Sequence, residues 1–217
     1  MNQISEFSLY SVPGVSVAST PKGLKAIKDD ACAAAIWRRQ PLKTFQDWID
    51  SLAPTQLPRA RMILCPELVH QALSEIVEVS GLPASLEQEM LVDDISALAH
   101  MFSSVMETPY LRLRLDVINN NACRKFHTDA VKARLVCTYR GTGTQYGIAT
   151  QLAEPACVFT VPTSSPILLR GTLWPTQPAS SLRHRSPQIE GTGQTRLVLV
   201  LDPVLEPDDE PHPKLIH

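Results

Sequence analysis

His127 and Asp129 are separated by one residue in the stretch "FHTDAVKARLVCTYR". Side chains at positions i and i+2 of an extended chain point to the same face. An imidazole and a carboxylate placed side by side can hydrogen-bond each other or bind a third group together. The pair is therefore a candidate for metal binding. For an isolated pair of this kind, an aspartate that caps a turn beside a partly exposed histidine is the common alternative.

His184, in the stretch "SLRHRSPQIEG", is the third candidate ligand. The second half of the chain contains two histidines before the C-terminal tail, His127 and His184. Two imidazoles and one carboxylate suit non-haem Fe(II), because they lower the charge of the ion and leave coordination positions open. Zn²⁺ binds the same donors readily. His127, Asp129 and His184 are therefore candidate metal ligands and candidate catalytic residues.

Arg196 opens the alternating apolar run "RLVLVLD" that follows His184. A guanidinium that points into a barrel is costly to bury unless it meets an anion. A carboxylate matches the planar fork of the arginine side chain. The position of Arg196 therefore predicts a binding site for an organic acid.

Apolar residues in the first half of the chain recur with the 3.6-residue period of amphipathic helices. Three segments show this period: residues 41–52, 66–82 and 84–106. In the last of them, Ser85 and Gln88 have the spacing of a capping box, in which each side chain bonds the other residue's backbone N–H. Residues 1–107 are therefore predicted to be a mainly helical buttress.

From about residue 108 the period of the apolar residues changes to two, which is typical of half-buried strands. The β-like runs are "YLRLRLDVI", "ARLVCTYR", "ACVFTVP", "PILLRGTLW" and "TRLVLVLD". Their spacing predicts a β-barrel or jelly roll over residues 108–204, followed by a flexible tail over 205–217. The stretch "GTGTQYG" lacks a following helix, so a hairpin connection is favoured over a phosphate loop. The fold class predicted is α+β in a single domain.

Composition narrows the functional classes. The chain has 217 residues, 44% hydrophobic and 19% charged, with a formal net charge of −2. Scattered basic residues argue against nucleic-acid binding, and no apolar run is long enough to span a membrane. Five cysteines without a C-x-x-C pair favour reduced thiols, and no signal peptide is evident, so a cytoplasmic protein is expected. The apolar helix stripes also allow a homodimer.

The order of H-x-D, several β-runs, "HRSP" and "GQTRLVLVL" resembles the double-stranded β-helix, or jelly roll, of the Fe(II)/2-oxoglutarate-dependent oxygenases. The resemblance implies that Fe(II) is held by His127, Asp129 and His184. It implies that Arg196 binds the far carboxylate of 2-oxoglutarate. It also implies that hydroxyls of Thr138 and Tyr139 face this co-substrate, although Tyr139 fits a core aromatic equally well.

The whole chain also resembles a bacterial domain-of-unknown-function family that carries "KFHTD" and "LVCTYRGTGT", a family associated with zinc-responsive gene neighbourhoods. Three hypotheses follow. The first is an oxygenase that hydroxylates a small molecule or peptide. The second is a non-redox, cupin-like zinc protein in metal homeostasis or sensing. The third is an inactive barrel used as an interaction module, in which the three ligands would be scattered in space.

Several arginines are candidates for lining the entrance of such a barrel. An acidic substrate would explain them, but arginines at alternating strand positions are also common on a solvated face. They are Arg112, Arg114, Arg183 and Arg185.

Overall fold

The structure is a computed structural model that describes residues 12–82, 84–149, 154–175 and 180–207. Most of the predicted tail, residues 208–217, lies outside this range. Three α-helices are described: α1 (Lys43–Ser51), α2 (Val69–Val79) and α3 (Leu86–Met106). Two 3-10 helices span Pro21–Lys28 and Pro66–Leu68. None of the helices in the described residues has the length and apolarity needed to cross a membrane.

Helix α3 begins where its capping residues predict. Oγ of Ser85 accepts a hydrogen bond from the backbone N–H of Gln88 at 3.2 Å. The reciprocal bond is missing, because Oε1 of Gln88 is buried and makes no hydrogen bond within the described chain. The apolar stripe of α3 is buried against the large sheet and α2. Its members include Leu91, Ile95, Leu98, Phe102 and Val105.

Ten strands are described, and they form two sheets. The strands are β1 (Val15–Ala18), β2 (Ala34–Trp37), β3 (Ala60–Leu64), β4 (Tyr110–Ile118), β5 (Ala133–Arg140), β6 (Gln145–Ile148), β7 (Phe159–Thr160), β8 (Ile167–Arg170), β9 (Leu182–Arg185) and β10 (Arg196–Val204). The large sheet has the order β1-β2-β8-β5-β10-β4-β3, and the small sheet has the order β7-β6-β9. Only β1 and β2 pair in parallel among the described strands.

The α+β class is confirmed, and the described helices all lie in the first half, but this half also supplies strands of the large sheet. Strands β1, β2 and β3 come from residues 1–107 and complete both edges of the large sheet. These strands have four or five residues each, too short to show a period of their own. The predicted hairpin at "GTGTQYG" is also wrong, because β5 and β6 belong to different sheets.

Alternation along β10 separates two hydrophobic cores. Leu197, Leu199 and Leu201 pack towards the helices, in a core that also contains Leu98 and Phe102 of α3. The even-numbered residues face the small sheet. Val198 and Val200 pack there with Val136, Tyr146 and Leu182. Any polar side chain at an even position of β10 therefore lies between the two sheets.

Candidate metal centre

The three predicted ligands meet in space. The donor atoms of His127, Asp129 and His184 all lie within 4.8 Å of one another. Nε2 of His127 is 3.4 Å from Oδ1 of Asp129, and Nε2 of His184 is 3.0 Å from Oδ2. Two donors that each lie about 2.1 Å from one ion are about 3 Å apart when they subtend a right angle. The arrangement therefore has the dimensions of a three-ligand metal site.

Backbone hydrogen bonds fix the ligands in this arrangement. His127 bridges His184 of β9, and each backbone N–H donates to the carbonyl oxygen of the other residue at 3.0 Å. The N–H of Thr172 donates to the carbonyl oxygen of Asp129 at 2.8 Å. Gly171 permits this approach, because a Cβ there would lie 1.9 Å from a carbonyl oxygen of the facing segment. Segments distant in sequence thus hold each ligand in place.

The ring of His127 is oriented for metal binding through Nε2. Its Nδ1 lies 2.9 Å from the carbonyl oxygen of Lys125. A carbonyl only accepts hydrogen bonds, so Nδ1 carries the hydrogen and Nε2 of the neutral ring presents its lone pair. The Asp129 carboxylate favours an additional proton on Nε2 and so raises the pKa of His127. A bound cation would take the place of that proton.

Arg134 joins Asp129 to a second carboxylate, that of Asp202. Nη1 of Arg134 is 2.5 Å from Oδ1 of Asp129. Nε and Nη2 of Arg134 donate to Oδ1 and Oδ2 of Asp202 at 2.6 and 2.8 Å. Asp202 is buried, with 3% of its surface exposed. Arg134 therefore occupies one oxygen of the ligand carboxylate and fixes the direction in which the other oxygen points.

The remaining oxygen of Asp129 fits a metal ion. Burial alone would raise the Asp129 pKa, but the rings of His127 and His184 and the charge of Arg134 hold that pKa well below its usual range. Oδ2 of Asp129 is buried and makes no hydrogen bond of good geometry in the described chain. An ionised buried oxygen without a hydrogen bond is costly, and a divalent cation would remove this cost.

Arg196 lies between the two sheets with only 1% of its surface exposed. Its Nε donates to the carbonyl oxygen of Thr142 at 2.7 Å, and its Nη2 donates to Oγ1 of Thr138 at 3.3 Å. No carboxylate of the described residues forms an ion pair with it, and burial lowers its pKa to about 10. A buried guanidinium with neutral partners only is the feature that an anionic ligand would complete.

One cavity of about 140 Å³ connects these groups. His127, His184 and Arg196 all line it. Apolar side chains from β5 and β10 form part of its wall, among them Val136, Val198 and Val200. A ligand that reaches from the histidines to Arg196 would therefore contact both polar groups and apolar side chains of β5 and β10.

Residues 18–202 match the family described as "Protein of unknown function (DUF1826)". The chain belongs to the DUF1826 family. This confirms the resemblance to a family of unknown function that the sequence indicated. Comparison with curated proteins gives no match.

Solved structures show that this DUF1826 member shares its fold with two dioxygenases for auxin oxidation. It is 13% identical to the dioxygenase for auxin oxidation from rice, with a TM-score of 0.52 over 92% of this chain and 84% of that one. It is 9% identical to dioxygenase for auxin oxidation 1 from Arabidopsis thaliana, solved as a binary complex with 2-oxoglutarate. The TM-score there is also 0.52, over 90% and 93% of the two chains. At these identities the likeness shows the fold alone.

The two hydroxyl residues of β5 that were predicted to face the co-substrate point to opposite sides of the large sheet. Thr138 faces the space between the sheets, where its Oγ1 contacts Arg196. Tyr139 faces the helices, because neighbouring strand residues point to opposite faces. Its hydroxyl donates to Oδ2 of Asp94 at 2.6 Å, and its ring packs edge-on against Phe45. The co-substrate role expected of Tyr139 is therefore not supported, and its other interpretation, a core aromatic, describes the structure.

Tyr139→Phe is expected to lower the free energy of unfolding by about 1–3 kcal/mol, because Asp94 loses a buried hydrogen-bond donor. Binding of metal and of 2-oxoglutarate should stay at the native level. Chemical denaturation and calorimetric titration measure the two effects. Thr138→Val is the matched comparison on the other face of β5, and it should weaken 2-oxoglutarate binding. Loss of 2-oxoglutarate binding in Tyr139→Phe alone would contradict this assignment.

Arg134 is the site residue in this DUF1826 chain whose contacts the sequence indicated least. Its sequence context suggests only that it pairs with an acid at a strand edge. Its actual partners, Asp129 and Asp202, are brought to it by the loop before β5 and by the pairing of β5 with β10. The useful signal was the aspartate in the otherwise apolar run of β10, since a buried carboxylate needs a cationic partner.

Proposed function

We propose that this protein is a non-haem Fe(II)/2-oxoglutarate-dependent oxygenase that hydroxylates a small molecule or peptide. The observation that carries the proposal is one cavity lined both by the two histidines of the His127, Asp129 and His184 cluster and by Arg196, a guanidinium that lacks an anion. The fold likeness to the dioxygenases for auxin oxidation supports it. The two facing sheets are interpreted as the double-stranded β-helix of that superfamily.

In this proposal, His127, Asp129 and His184 hold Fe(II), and Arg196 binds the far carboxylate of 2-oxoglutarate. When bound, the metal and 2-oxoglutarate supply the oxidation chemistry. One O₂ is consumed, the co-substrate becomes succinate and CO₂, and a C–H bond of the substrate becomes C–OH. Three protein ligands leave coordination positions open for this chemistry.

The chain's own residues bind, orient and exclude water. Thr138 and the carbonyl oxygen of Thr142 hold the Arg196 guanidinium in a fixed direction. Arg134 keeps Oδ1 of Asp129 engaged, so that Oδ2 is the oxygen available to the metal. The valine walls between these groups exclude solvent, which strengthens the contact between a guanidinium and a carboxylate.

A zinc-binding protein without redox chemistry is the second candidate, because the same three donors bind Zn²⁺ readily. Arg196 separates the two candidates, since a zinc carrier has no need for a buried guanidinium beside its metal. The third hypothesis, an inactive barrel, would have the ligands scattered, whereas their donor atoms lie within 4.8 Å of one another.

Anaerobic titration with Fe(II), followed by addition of 2-oxoglutarate and O₂, tests the proposal. We expect one Fe(II) per chain, 2-oxoglutarate binding that depends on the metal, and release of succinate. Protein that binds no stoichiometric iron after reconstitution would remove the proposal. Protein that binds Zn²⁺ but ignores 2-oxoglutarate would favour the zinc candidate.

A further inference from the structure

Arg114 of β4 lines the same cavity as His127, His184 and Arg196. Its side chain is 24% exposed, so it reaches from the interior towards solvent. Of the four arginines that the sequence marked as possible entrance residues, only Arg114 and Arg185 line this cavity.

The other guanidiniums that line the cavity have partners in the protein or a role in the proposed function. Arg134 is bonded to the carboxylates of Asp129 and Asp202. Arg185 donates through Nε to Oε1 of Gln145 at 2.9 Å, and its guanidinium lies 4.3 Å from the centre of the Phe126 ring. Arg196 is assigned to 2-oxoglutarate in the proposed function.

The charge of Arg114 is incompletely neutralised. Its ion pair within the described chain is a 3.9 Å contact from Nη2 to Oδ2 of Asp202, an oxygen that Arg134 already binds at 2.8 Å. Nε of Arg114 is buried and makes no hydrogen bond to any described residue. Asp116 of β4, which also lines the cavity, offsets part of this charge from a distance without forming an ion pair with Arg114 in the described chain, whereas Arg61, paired with Arg114 in the register of β3 and β4, adds a second positive charge. A buried donor of this kind is costly until a ligand pairs with it.

Arg114 and Arg196 lie at different positions along the paired strands β4 and β10. On β10, Arg196 lies opposite Ile118 of β4, whereas Arg114 lies opposite Val200. The two arginines therefore start from backbone positions about 13 Å apart along the strands, at about 3.3 Å per residue. Asp129, held by Arg134, lies towards the Arg114 end of the cavity. The backbone of Arg114 thus lies nearer than that of Arg196 to the ion pair of Arg134 and Asp129.

We propose that Arg114 binds a carboxylate of the substrate, so that the substrate class is a carboxylic acid or a peptide with an acidic group. This inference rests on the proposed function. The fork of the guanidinium, with its unbonded Nε, matches a carboxylate in a bidentate arrangement. Such a contact would place the rest of the substrate beside the three metal ligands.

Acetate is a suitable probe because it is a carboxylate small enough for the cavity, and acetamide is its neutral counterpart. We would follow both by saturation-transfer NMR on Zn²⁺-loaded protein, in which redox chemistry is blocked, with and without saturating 2-oxoglutarate. The variants are Arg114→Met and, as the matched control, Arg61→Met, which removes an exposed arginine that lies outside the cavity. Thermal unfolding confirms that each variant is folded.

With 2-oxoglutarate bound, native protein and Arg61→Met should bind acetate alike, and Arg114→Met should bind it at least tenfold more weakly. Acetamide should bind weakly to all three. Equal acetate binding by native protein and Arg114→Met would overturn the inference. So would acetate binding that depends on Arg114 but is abolished by 2-oxoglutarate, because the carboxylate would then belong to the co-substrate. Native protein that binds neither Zn²⁺ nor 2-oxoglutarate would instead refute the proposed function.

Discussion

Asp129→Asn is expected to weaken divalent-metal binding by more than about 100-fold, since changes to residues that only support a ligand already cost about 10–100-fold. The substitution keeps the shape of the side chain but removes the negative charge that the metal would neutralise. It also breaks the ion pair with Arg134. Titration with Co²⁺ or Zn²⁺ against a competing chelator measures the affinity.

Asp94→Asn is the matched control for this experiment. Asp94 is also a partly buried aspartate, and Arg39 binds its two oxygens at 2.5 and 2.6 Å. It lies on the helix-facing side of the large sheet, where it accepts a hydrogen bond from the hydroxyl of Tyr139. We expect Asp94→Asn to lower the free energy of unfolding while metal affinity stays native. Native metal affinity in Asp129→Asn would refute the metal centre itself.

The candidate ligands were predictable because their signals are local or depend on few residues. His127 and Asp129 are separated by one residue, so a common direction is expected wherever the segment is extended. The structure places them in the loop before β5, where His127 forms an isolated bridge. His184 stands out as the other histidine of the second half before the tail, and Arg196 as a charge in an apolar run. Only the resemblance places them beside Asp129, because the sequence between them does not indicate that these segments meet. The structure shows the step that brings them together, which is the backbone bridge between His127 and His184.

Strand geometry opposes the co-substrate role that the resemblance implies for Tyr139. Thr138 and Tyr139 are adjacent in a strand, so only one of them can face the co-substrate. The same rule assigns Arg196, Val198, Val200 and Asp202 to one face of β10.

The short strands were unpredictable for a different reason. Strands β6 and β9 carry polar residues, and their stability comes from pairing with each other, which no single segment reveals.

On the face of β10 that points between the two sheets, the polar residues at the two ends have different partners. Arg196 at the start meets only neutral groups, which leaves its charge available to a ligand. Asp202, near the other end, is bound by Arg134, which in turn holds the ligand Asp129. Two valines separate these polar ends. One strand therefore supplies both the candidate anion-binding group and the support for a candidate metal ligand, at a separation fixed by strand geometry.

Arg196→Met is expected to abolish most 2-oxoglutarate binding while metal binding stays native. Removing one partner of a buried charge pair costs about 2–5 kcal/mol, or about 30-fold to several thousand-fold in affinity. Without ligand, the variant should be as stable as the native protein or more stable, because methionine avoids the desolvation that lowers the Arg196 pKa. Calorimetric titration with 2-oxoglutarate and thermal unfolding, both on Zn²⁺-loaded protein, measure these effects.

Arg140→Met is the matched control, since Arg140 of β5 also bonds a carbonyl oxygen, that of Leu52, at 2.7 Å, but it does not line the cavity. It should bind 2-oxoglutarate at the native level. If Arg196→Met binds 2-oxoglutarate as native protein does, Arg196 is a structural arginine and the co-substrate site lies elsewhere. If both variants lose it together with metal, the loss reflects damage to the fold. Selective loss in Arg196→Met alone is the result that distinguishes an oxygenase from a zinc carrier, because only the oxygenase uses a guanidinium to hold an organic acid beside its metal.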